Sequence, residues 1–179
     1  MHSAYLIRHG KSELEGADAE RGLTPEGHDH AKKIAERLLS VSPAVKKIYS
    51  SPFRRAQLTV EPLAKATKLQ ITVINDFREK NMSKGPIPDI KTARKQMWGD
   101  FNYRIPGGET NAEAQKRATD ALATLRGAHP NEAVAIGCHG TLISLILNSF
   151  DPSFGYDKWL SMLMPDIYRI DSHDDGRVT

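Results

Sequence analysis

Near its N-terminus the chain reads Ala4-Tyr-Leu-Ile-Arg-His-Gly10, an apolar run that ends abruptly in arginine, histidine and glycine. A short, partly β-branched apolar run is typical of a buried strand, and the polar break after Ile7 marks its carboxyl end. Far along the chain Ala133-Val-Ala-Ile136 forms a second such run, which is followed by Cys138-His139-Gly140. The sequence therefore places two His-Gly pairs at the carboxyl ends of two predicted strands.

Helical patterns separate the predicted strands. Thr24 is a suitable N-cap, Pro25 fits the first helical position, and apolar residues then recur at helical spacing to about Ser40. Further helices are predicted to open at Pro52, to span residues 111–125 with Gly127 closing that helix, and to span residues 141–149. Further strands are predicted over residues 47–51, 69–74 and 166–170.

This alternating order predicts an α/β fold, a three-layer α/β/α sandwich around a mostly parallel sheet. We expect one domain over residues 1–179, because a chain of this length fits one hydrophobic core. Ligands bind such sheets beyond the carboxyl ends of the strands, where both His-Gly pairs fall. Residues 78–106 are rich in Gly and Pro and indicate only a short helix near residues 91–97, so this stretch is interpreted as an irregular insertion able to cover a site.

Composition narrows the class of protein. The apolar run at the N-terminus is far too short for a signal peptide or a membrane span, so we expect a cytoplasmic protein with no membrane partner. The net charge is +3 and the pI is about 9.0. Because Lys and Arg are dispersed among acids, a nucleic-acid partner is not expected, and small anionic substrates explain the positive charge as well. The single cysteine, Cys138, excludes an intramolecular disulfide and a Cys-rich zinc site.

Histidines at strand ends, one of them preceded by Arg8, indicate an anion site. Arginine offers a planar fork of donors, and histidine can act as nucleophile or donor. Taken singly, either histidine could equally be a hydrogen-bonded structural residue. His28 and His30 suggest a metal site, but residues i and i+2 do not share a helix face, so a solvated helix start is expected and no metal ligand is predicted.

Further motifs identify a family. The segments that carry the signal are Leu6-Ile-Arg-His-Gly-Lys-Ser12, Leu23-Thr-Pro-Glu-Gly27, Tyr49-Ser-Ser-Pro-Phe-Arg-Arg-Ala-Gln-Leu-Thr59, Pro106-Gly-Gly-Glu-Thr110 and Cys138-His-Gly-Thr141. In this order, and over nearly the whole chain, they resemble the signatures of the histidine phosphatase superfamily, the two-histidine group that includes phosphoglycerate mutases. Glu79 falls where that family carries its acid. The resemblance implies a phosphoglycerate mutase-like sandwich and a phosphohistidine intermediate.

The same resemblance implies a role for each site residue. His9 is the nucleophile, Glu79 protonates the leaving oxygen and then activates water, and Arg8, Arg55 and His139 bind the phosphoryl group, with His139 also counted as catalytic. Phosphoryl transfer requires positive donors around the equatorial oxygens, a nucleophile in line and a proton for the leaving oxygen, so physical chemistry supports these roles. No cofactor or metal is expected, since the arginines already provide the positive charge.

Several residues keep alternatives open. Arg55 rather than Arg54 matches the family's second arginine. Glu13 or Glu109 could replace Glu79 as the acid, although Glu109 is better interpreted as a cap or an arginine partner. Cys138 is expected to fill space in a strand rather than act as a nucleophile. The aromatic residues of the insertion are expected to seal a hydrophobic cluster rather than stack on substrate; they are Trp98, Phe101 and Tyr103.

Departures from the family pattern favour hydrolysis. Glycolytic mutases carry an asparagine where this chain reads Ser12-Glu-Leu-Glu15, Ser83 stands where the family has a glycine after the acid, and the chain is short for a lid. We therefore expect a phosphomonoesterase acting on a small phosphorylated substrate or a phosphoprotein, with a cofactor-dependent phosphoglycerate mutase and a catalytically silent phosphate-binding module as alternatives.

Substrate choice is expected to reside in residues 80–104, so that replacing Lys84 or Arg94 alters the preference among substrates.

Overall fold

The computed structural model describes residues 2–172, within which five strands form one sheet. The strands are β1 (His2–Arg8), β2 (Val45–Ser50), β3 (Ile71–Val73), β4 (Ala133–Cys138) and β5 (Asp166–Ser172). Their order across the sheet is β3-β2-β4-β1-β5. The pairs β3–β2, β2–β4 and β4–β1 are parallel, whereas β5 runs antiparallel to β1. The predicted mostly parallel sheet is confirmed.

Six helices of the described range cover the two faces of the sheet. They are α1 (Pro25–Leu39), α2 (Arg54–Thr67), α3 (Ile90–Gly99), α4 (Asn111–Ala128), α5 (Gly140–Phe150) and α6 (Tyr156–Ser161). One buried cluster joins α1 and α2 to the sheet, and a second joins α4 and α5 to the opposite face. The predicted three-layer α/β/α sandwich is therefore confirmed.

The sequence explains the two-sided burial of β1. Tyr5 and Ile7 pack with α1 and α2, whereas Ala4 and Leu6 pack with α4 and α5. Successive side chains of a strand point to opposite faces, so the part of a strand that helices cover on both faces is apolar at successive positions. This is why residues 4–7 of β1 form an unbroken apolar run in the sequence.

Two predicted helix boundaries are wrong, and the predicted short helix of the insertion is longer than expected. The helix expected from Pro52 begins at Arg54, because Phe53 keeps an extended backbone and donates its N–H to the Ser51 hydroxyl oxygen at 3.1 Å. Gly127 does not close α4: it lacks the left-handed backbone of a glycine cap, and the helix runs on to Ala128. Residues 78–106 are more regular than expected, since α3 spans ten residues.

Two further elements also differ from the prediction. Helix α6 follows α5 and was not predicted, because six residues are too few to show a helical period. Strand β3 is confined to Ile71–Val73 at the edge of the sheet, although the apolar alternation extends further. Within residues 2–172 no helix is both long and apolar enough to cross a membrane.

The turn after β1 packs directly on the start of α1. A Cβ atom at Gly27, near the start of α1, would lie 2.0 Å from the carbonyl oxygen of Lys11, and a Cβ at Gly10 would lie 2.7 Å from the carbonyl oxygen of Gly27. Both obstacles are backbone atoms, which cannot rotate away. Glycine at these positions lets the helix lie against the His9 turn.

This contact predicts opposite effects for two Gly→Ala substitutions in helices. Gly27→Ala should lower the free energy of unfolding by about 1–3 kcal/mol, because overpacking outweighs helix propensity. Gly127→Ala, whose Cβ would meet nothing within 4 Å, should raise it by up to about 0.5–1 kcal/mol through helix propensity alone. Urea denaturation of both variants tests the contact, and equal effects of the two substitutions would contradict it.

Candidate active site

The pairing of β1 with β4 brings the two histidines together. Arg8 is opposite Cys138 in the register, and the backbone N–H of His9 donates to the carbonyl of Cys138 at 3.2 Å. The ring centroids of His9 and His139 are 5.3 Å apart. The two predicted His-Gly ends thus form one site at the carboxyl edge of the sheet.

Hydrogen bonds on both sides of the His9 ring define its tautomer. Nδ1 lies 2.7 Å from the carbonyl oxygen of Gly10, which can only accept, so Nδ1 carries the proton. Nε2 lies 3.2 Å from Nε–H of Arg55, which can only donate, so Nε2 presents its lone pair. Burial, together with Arg55 and Arg8 nearby, lowers the pKa of His9 to about 4. His9 is therefore neutral at physiological pH, with Nε2 unprotonated.

Arg55 is buried at the start of α2. The residue is 3 % exposed, and its guanidinium also reaches Asp18, with NH1 3.2 Å from the carboxylate Oδ1. The guanidinium lies 4.9 Å from the Phe53 ring centroid, over the ring face. Arg54, by contrast, is exposed, which agrees with the choice of Arg55 as the arginine that enters the site.

Arg8 lies on the other side of His9 at the end of β1. Its NH1 donates to the carbonyl oxygens of Met162 and Leu163 at 2.8 and 3.0 Å. A Cβ atom at Gly140 would lie 2.9 Å from Arg8 Nε, so the glycine leaves room for the guanidinium beside α5. Nε is buried and has no hydrogen-bond partner among the described residues.

His139 is fully buried at the N-cap position of α5. Its Nε2 lies 2.7 Å from the hydroxyl oxygen of Ser51, and the edge of its ring meets the Phe53 ring, with centroids 5.0 Å apart. Burial, followed by the nearby His9 and Arg55, lowers the pKa of His139 well below its ordinary value. Nδ1 is left without a hydrogen-bond partner within residues 2–172. A neutral His139 can thus present one free ring nitrogen to a ligand.

Glu79 joins the site from the segment that follows β3. Its carboxylate accepts the backbone N–H groups of Thr141 and Leu142, at the N-terminus of α5, at 3.3 and 3.2 Å. Burial raises the pKa of Glu79 although these bonds, a third from the N–H of Lys80 and the nearby Arg55 oppose the rise. The structure therefore places a carboxyl group of raised pKa at the N-terminus of α5, the helix whose N-cap residue is His139.

The alternative acids are not arranged for proton transfer. Both oxygens of Glu109 are occupied by the guanidinium of Arg117 at 2.8 and 3.0 Å, and Arg78 donates to one of them at 2.8 Å. Burial favours a higher pKa for Glu109, but the hydrogen bonds and charges of its partners, led by Arg117, outweigh it and lower the pKa. Glu13 is exposed. Glu109 is thus the arginine partner that the sequence suggested.

The Glu109–Arg117 pair fixes the backbone around Glu79. Arg117 NH1 donates to the carbonyl oxygens of Asp76 and Arg78 at 2.6 and 3.1 Å, and Glu109 accepts the N–H of Asn81 at 3.1 Å. The backbone on both sides of Glu79 is therefore tied to the Glu109–Arg117 pair. No local pattern marks Arg117, because it is one of many charged residues on a helix surface.

The structure also locates Cys138, the aromatic residues of the insertion and His28. Cys138 is fully buried, and burial raises the pKa of its thiol to about 12, so it fills space in β4. Trp98 and Phe101 pack edge to face against the core, with centroids 5.7 Å apart. Among the described residues no group of three His, Cys, Asp or Glu side chains is placed to hold a metal ion, and His28 on α1 is exposed.

Comparison with protein families identifies the group to which this site belongs. The model of the histidine phosphatase superfamily (branch 1) matches residues 4–176. The chain belongs to this superfamily. Among curated relatives, the probable phosphoglycerate mutase GpmB of Salmonella choleraesuis (strain SC-B67) is 32% identical over 168 residues, which cover 82% of this chain and 75% of the relative.

Solved structures of related fold agree with the superfamily assignment. YhfR of Bacillus stearothermophilus superposes with a TM-score of 0.80 at 22% identity, covering 100% of this chain and 95% of that chain. A phosphoserine phosphatase of Entamoeba histolytica gives the same TM-score and coverage at 19% identity. A mycobacterial glucosyl-3-phosphoglycerate phosphatase gives a TM-score of 0.78 at 22% identity, covering 96% of this chain and 90% of that one. These similarities show that the histidine phosphatase fold is shared.

The geometry predicts an unusual titration of His9. Imidazole ¹⁵N resonances should report a neutral Nδ1–H tautomer down to about pH 5, since the pKa of His9 is lowered to about 4. In the unfolded chain His9 takes up this proton with its ordinary pKa of 6.5, whereas in the folded chain it does so only near pH 4. The free energy of unfolding should therefore fall as the pH drops from 6.5 towards 4. Arg55→Gln removes a nearby positive charge and should shift the pKa upwards. A wild-type midpoint near 6.5 would contradict the lowered pKa, and ¹⁵N shifts of a neutral Nε2–H ring would contradict the tautomer.

Proposed function

We propose that the protein is a metal-independent phosphomonoesterase that hydrolyses a small phosphorylated substrate through a phosphohistidine on His9. The observation that carries this proposal is the neutral His9 ring, whose Nδ1–H is fixed by Gly10 and whose Nε2 lone pair faces Arg55. A neutral imidazole with one oriented nitrogen is the state that a phosphorus nucleophile requires. Membership in the histidine phosphatase superfamily supports the reaction class.

In the first step His9 Nε2 attacks phosphorus and the bond from phosphorus to the leaving oxygen breaks. In the free enzyme the Nε–H of Arg55 donates to His9 Nε2, and when substrate binds it donates to a phosphoryl oxygen instead. Arg8 Nε and His139 Nδ1 are buried without partners among the described residues, and such groups favour a ligand that completes their hydrogen bonds. Glu79 transfers its proton to the departing alkoxide, which leaves as the alcohol.

In the second step water attacks the phosphorus of the phosphohistidine. The Glu79 carboxylate, produced in the first step, removes a proton from this water as the new bond to phosphorus forms. The nitrogen–phosphorus bond breaks, inorganic phosphate leaves, and His9 returns to the neutral Nδ1–H tautomer. The raised pKa of Glu79 supports both its acid and its base role.

Mutase activity is the second candidate, because the curated relatives are named probable phosphoglycerate mutases. A cofactor-dependent mutase starts with its histidine phosphorylated by a bisphosphate, transfers that phosphoryl group to the free hydroxyl of the monophosphate, and takes the other phosphoryl group back onto the histidine. We favour hydrolysis because the Ser12-Glu-Leu-Glu15 stretch lacks the asparagine of the glycolytic mutases. Incubation with 3-phosphoglycerate and a priming amount of its bisphosphate should release phosphate faster than it forms 2-phosphoglycerate.

The nucleophile assignment predicts a covalent intermediate on one residue. Rapid quenching of a reaction with ³²P-labelled substrate, in the presence of EDTA, should trap a label that is labile to acid and stable to base on the peptide containing His9. His9→Ala should lose both label and turnover, whereas His28→Ala, on the exposed part of α1, should keep both. Label on His139, or a label that requires a divalent metal, would contradict the mechanism.

The acid assignment predicts a dependence on the leaving group. Glu79→Gln should lower hydrolysis of an alkyl phosphate by about 10²–10⁴-fold, because an alkoxide needs a proton to leave. The loss on p-nitrophenyl phosphate should be much smaller while phosphorylation of His9 limits the rate. The exposed Glu13→Gln provides the matched control and should change neither rate.

A pre-steady-state burst separates the two steps of this test. If hydrolysis of the phosphohistidine limits turnover, Glu79→Gln slows both substrates equally and increases the burst of released alcohol relative to the steady state. Unchanged rates on both substrates, with an unchanged burst, would show that Glu79 takes no part in proton transfer.

A further inference from the structure

The ring of His139 is hydrogen-bonded to the hydroxyl group of Ser51. Nε2 lies 2.7 Å from Ser51 Oγ, and both residues are 0 % exposed. The other ring nitrogen, Nδ1, has no hydrogen-bond partner among residues 2–172. Burial lowers the pKa of His139 well below its ordinary value, so the ring is neutral. A neutral imidazole carries one proton, and the position of that proton decides which nitrogen can donate to a ligand.

The surroundings of the Ser51 hydroxyl determine where its proton points. The oxygen accepts the backbone N–H of Phe53 at 3.1 Å. A hydroxyl group has one proton to donate, and within the described residues the remaining partner of Ser51 Oγ is His139 Nε2. If the ring carried its proton on Nε2 instead, the Ser51 oxygen would accept twice, and the hydroxyl proton would be buried without an acceptor. Hydrogen-bond satisfaction therefore favours Ser51 as the donor, a lone pair on Nε2 and the ring proton on Nδ1.

The backbone and two neighbouring rings hold this pair in place. The N–H of Ser51 donates to the carbonyl oxygen of Gly137 at 2.8 Å, which ties Ser51 to the strand that ends next to His139. The rings of Phe53 and His9 lie beside the His139 ring, with centroid distances of 5.0 and 5.3 Å. Close packing of this kind opposes rotation of the imidazole. The orientation of the ring is therefore fixed together with its proton.

We propose that Ser51 is a positioning residue that fixes His139 in the Nδ1–H tautomer, so that Nδ1 donates a hydrogen bond to the phosphoryl group. This inference rests on the proposed phosphatase function and identifies how one of its phosphate-binding groups is prepared. In the opposite tautomer the lone pair of Nδ1 would face a phosphoryl oxygen, and two acceptors cannot form a hydrogen bond. With Ser51 as donor, His139 joins Arg8 and Arg55 as a donor to the phosphoryl oxygens.

The tautomer can be measured without turnover. Imidazole ¹⁵N resonances of His139, assigned by their loss in His139→Gln, should report a protonated Nδ1 and an unprotonated Nε2, both in the free protein and with orthovanadate. Ser51→Ala should change the ratio of the two tautomers by about 10-fold or more, because one hydrogen bond is lost. A wild-type ring protonated on Nε2 would overturn the proposal, and this result does not depend on the folding of any variant.

A second buried serine provides the matched control. Ser50 is also 0 % exposed, but its hydroxyl group donates to the carbonyl oxygen of Ser51 at 3.0 Å and has no hydrogen bond to His139. Ser50→Ala should therefore keep the wild-type tautomer and activity. Ser51→Ala should lower kcat/KM for p-nitrophenyl phosphate by about 10- to 100-fold and raise the inhibition constant of orthovanadate by a similar factor. Ser51→Thr, which retains a hydroxyl group, should recover most of both.

The outcomes separate positioning from a structural role and from failure of the proposed function. If Ser51→Ala lowers activity while His139 keeps the Nδ1–H tautomer, Ser51 supports the fold alone and the proposal is overturned. Unchanged activity and unchanged vanadate inhibition in Ser51→Ala would overturn it as well. If the wild type hydrolyses no phosphomonoester, the phosphatase function fails, whereas the tautomer of His139 in the free protein still decides whether Ser51 fixes the ring proton.

Discussion

The parallel pairing of β1 with β4 is the contact on which the site depends. Because the two strands run side by side in register, their carboxyl ends deliver His9 and His139 to the same edge of the sheet, and the N–H of His9 bonds the carbonyl that precedes His139. The helices that follow each strand must then turn away to opposite faces, which leaves the edge open. Two His-Gly pairs 130 residues apart in sequence become one site for this reason.

Desolvation at this edge determines the protonation state of each group. Burial disfavours charge, so it lowers the pKa of both histidines and raises that of Glu79. One environment thus favours a neutral imidazole at His9 and a carboxyl group at Glu79 that is able to hold a proton. The guanidinium groups of Arg8 and Arg55 stay positively charged near His9, and guanidinium groups are strong hydrogen-bond donors to the oxygens of a phosphoryl group.

Much of this arrangement could be predicted from the sequence, because the relevant residues lie at the ends of strongly apolar strands or within ordered motifs. Arg8, His9 and His139 are placed by the strands themselves, and Arg55 by the first turn of a helix. Less could be predicted where contacts are long-range and local patterns are weak. Asp18, which holds Arg55, lies in a loop without periodicity, and the contact of Ser51 with His139 depends on how α2 begins.

The insertion illustrates the same limit. Its Gly and Pro content marked an interruption, and a short helix was predicted within it, but the contacts of Lys80 with α3 and α4 arise from tertiary packing, which no local pattern reports. The helix boundaries at Arg54 and Ala128 were also decided by individual hydrogen bonds and backbone angles rather than by composition. Tertiary contacts therefore set the details of the site that the sequence could only outline.

The most direct test of the account is a crystal structure of the protein with orthovanadate, which adopts the trigonal bipyramidal geometry of a transferring phosphoryl group. The account predicts vanadium bonded to His9 Nε2, equatorial oxygens in contact with Arg8, Arg55 and His139, and the apical oxygen opposite His9 on the side of Glu79. Vanadium bonded to any other side chain, or vanadate held at the site with His9 Nε2 still occupied by Arg55, would contradict it.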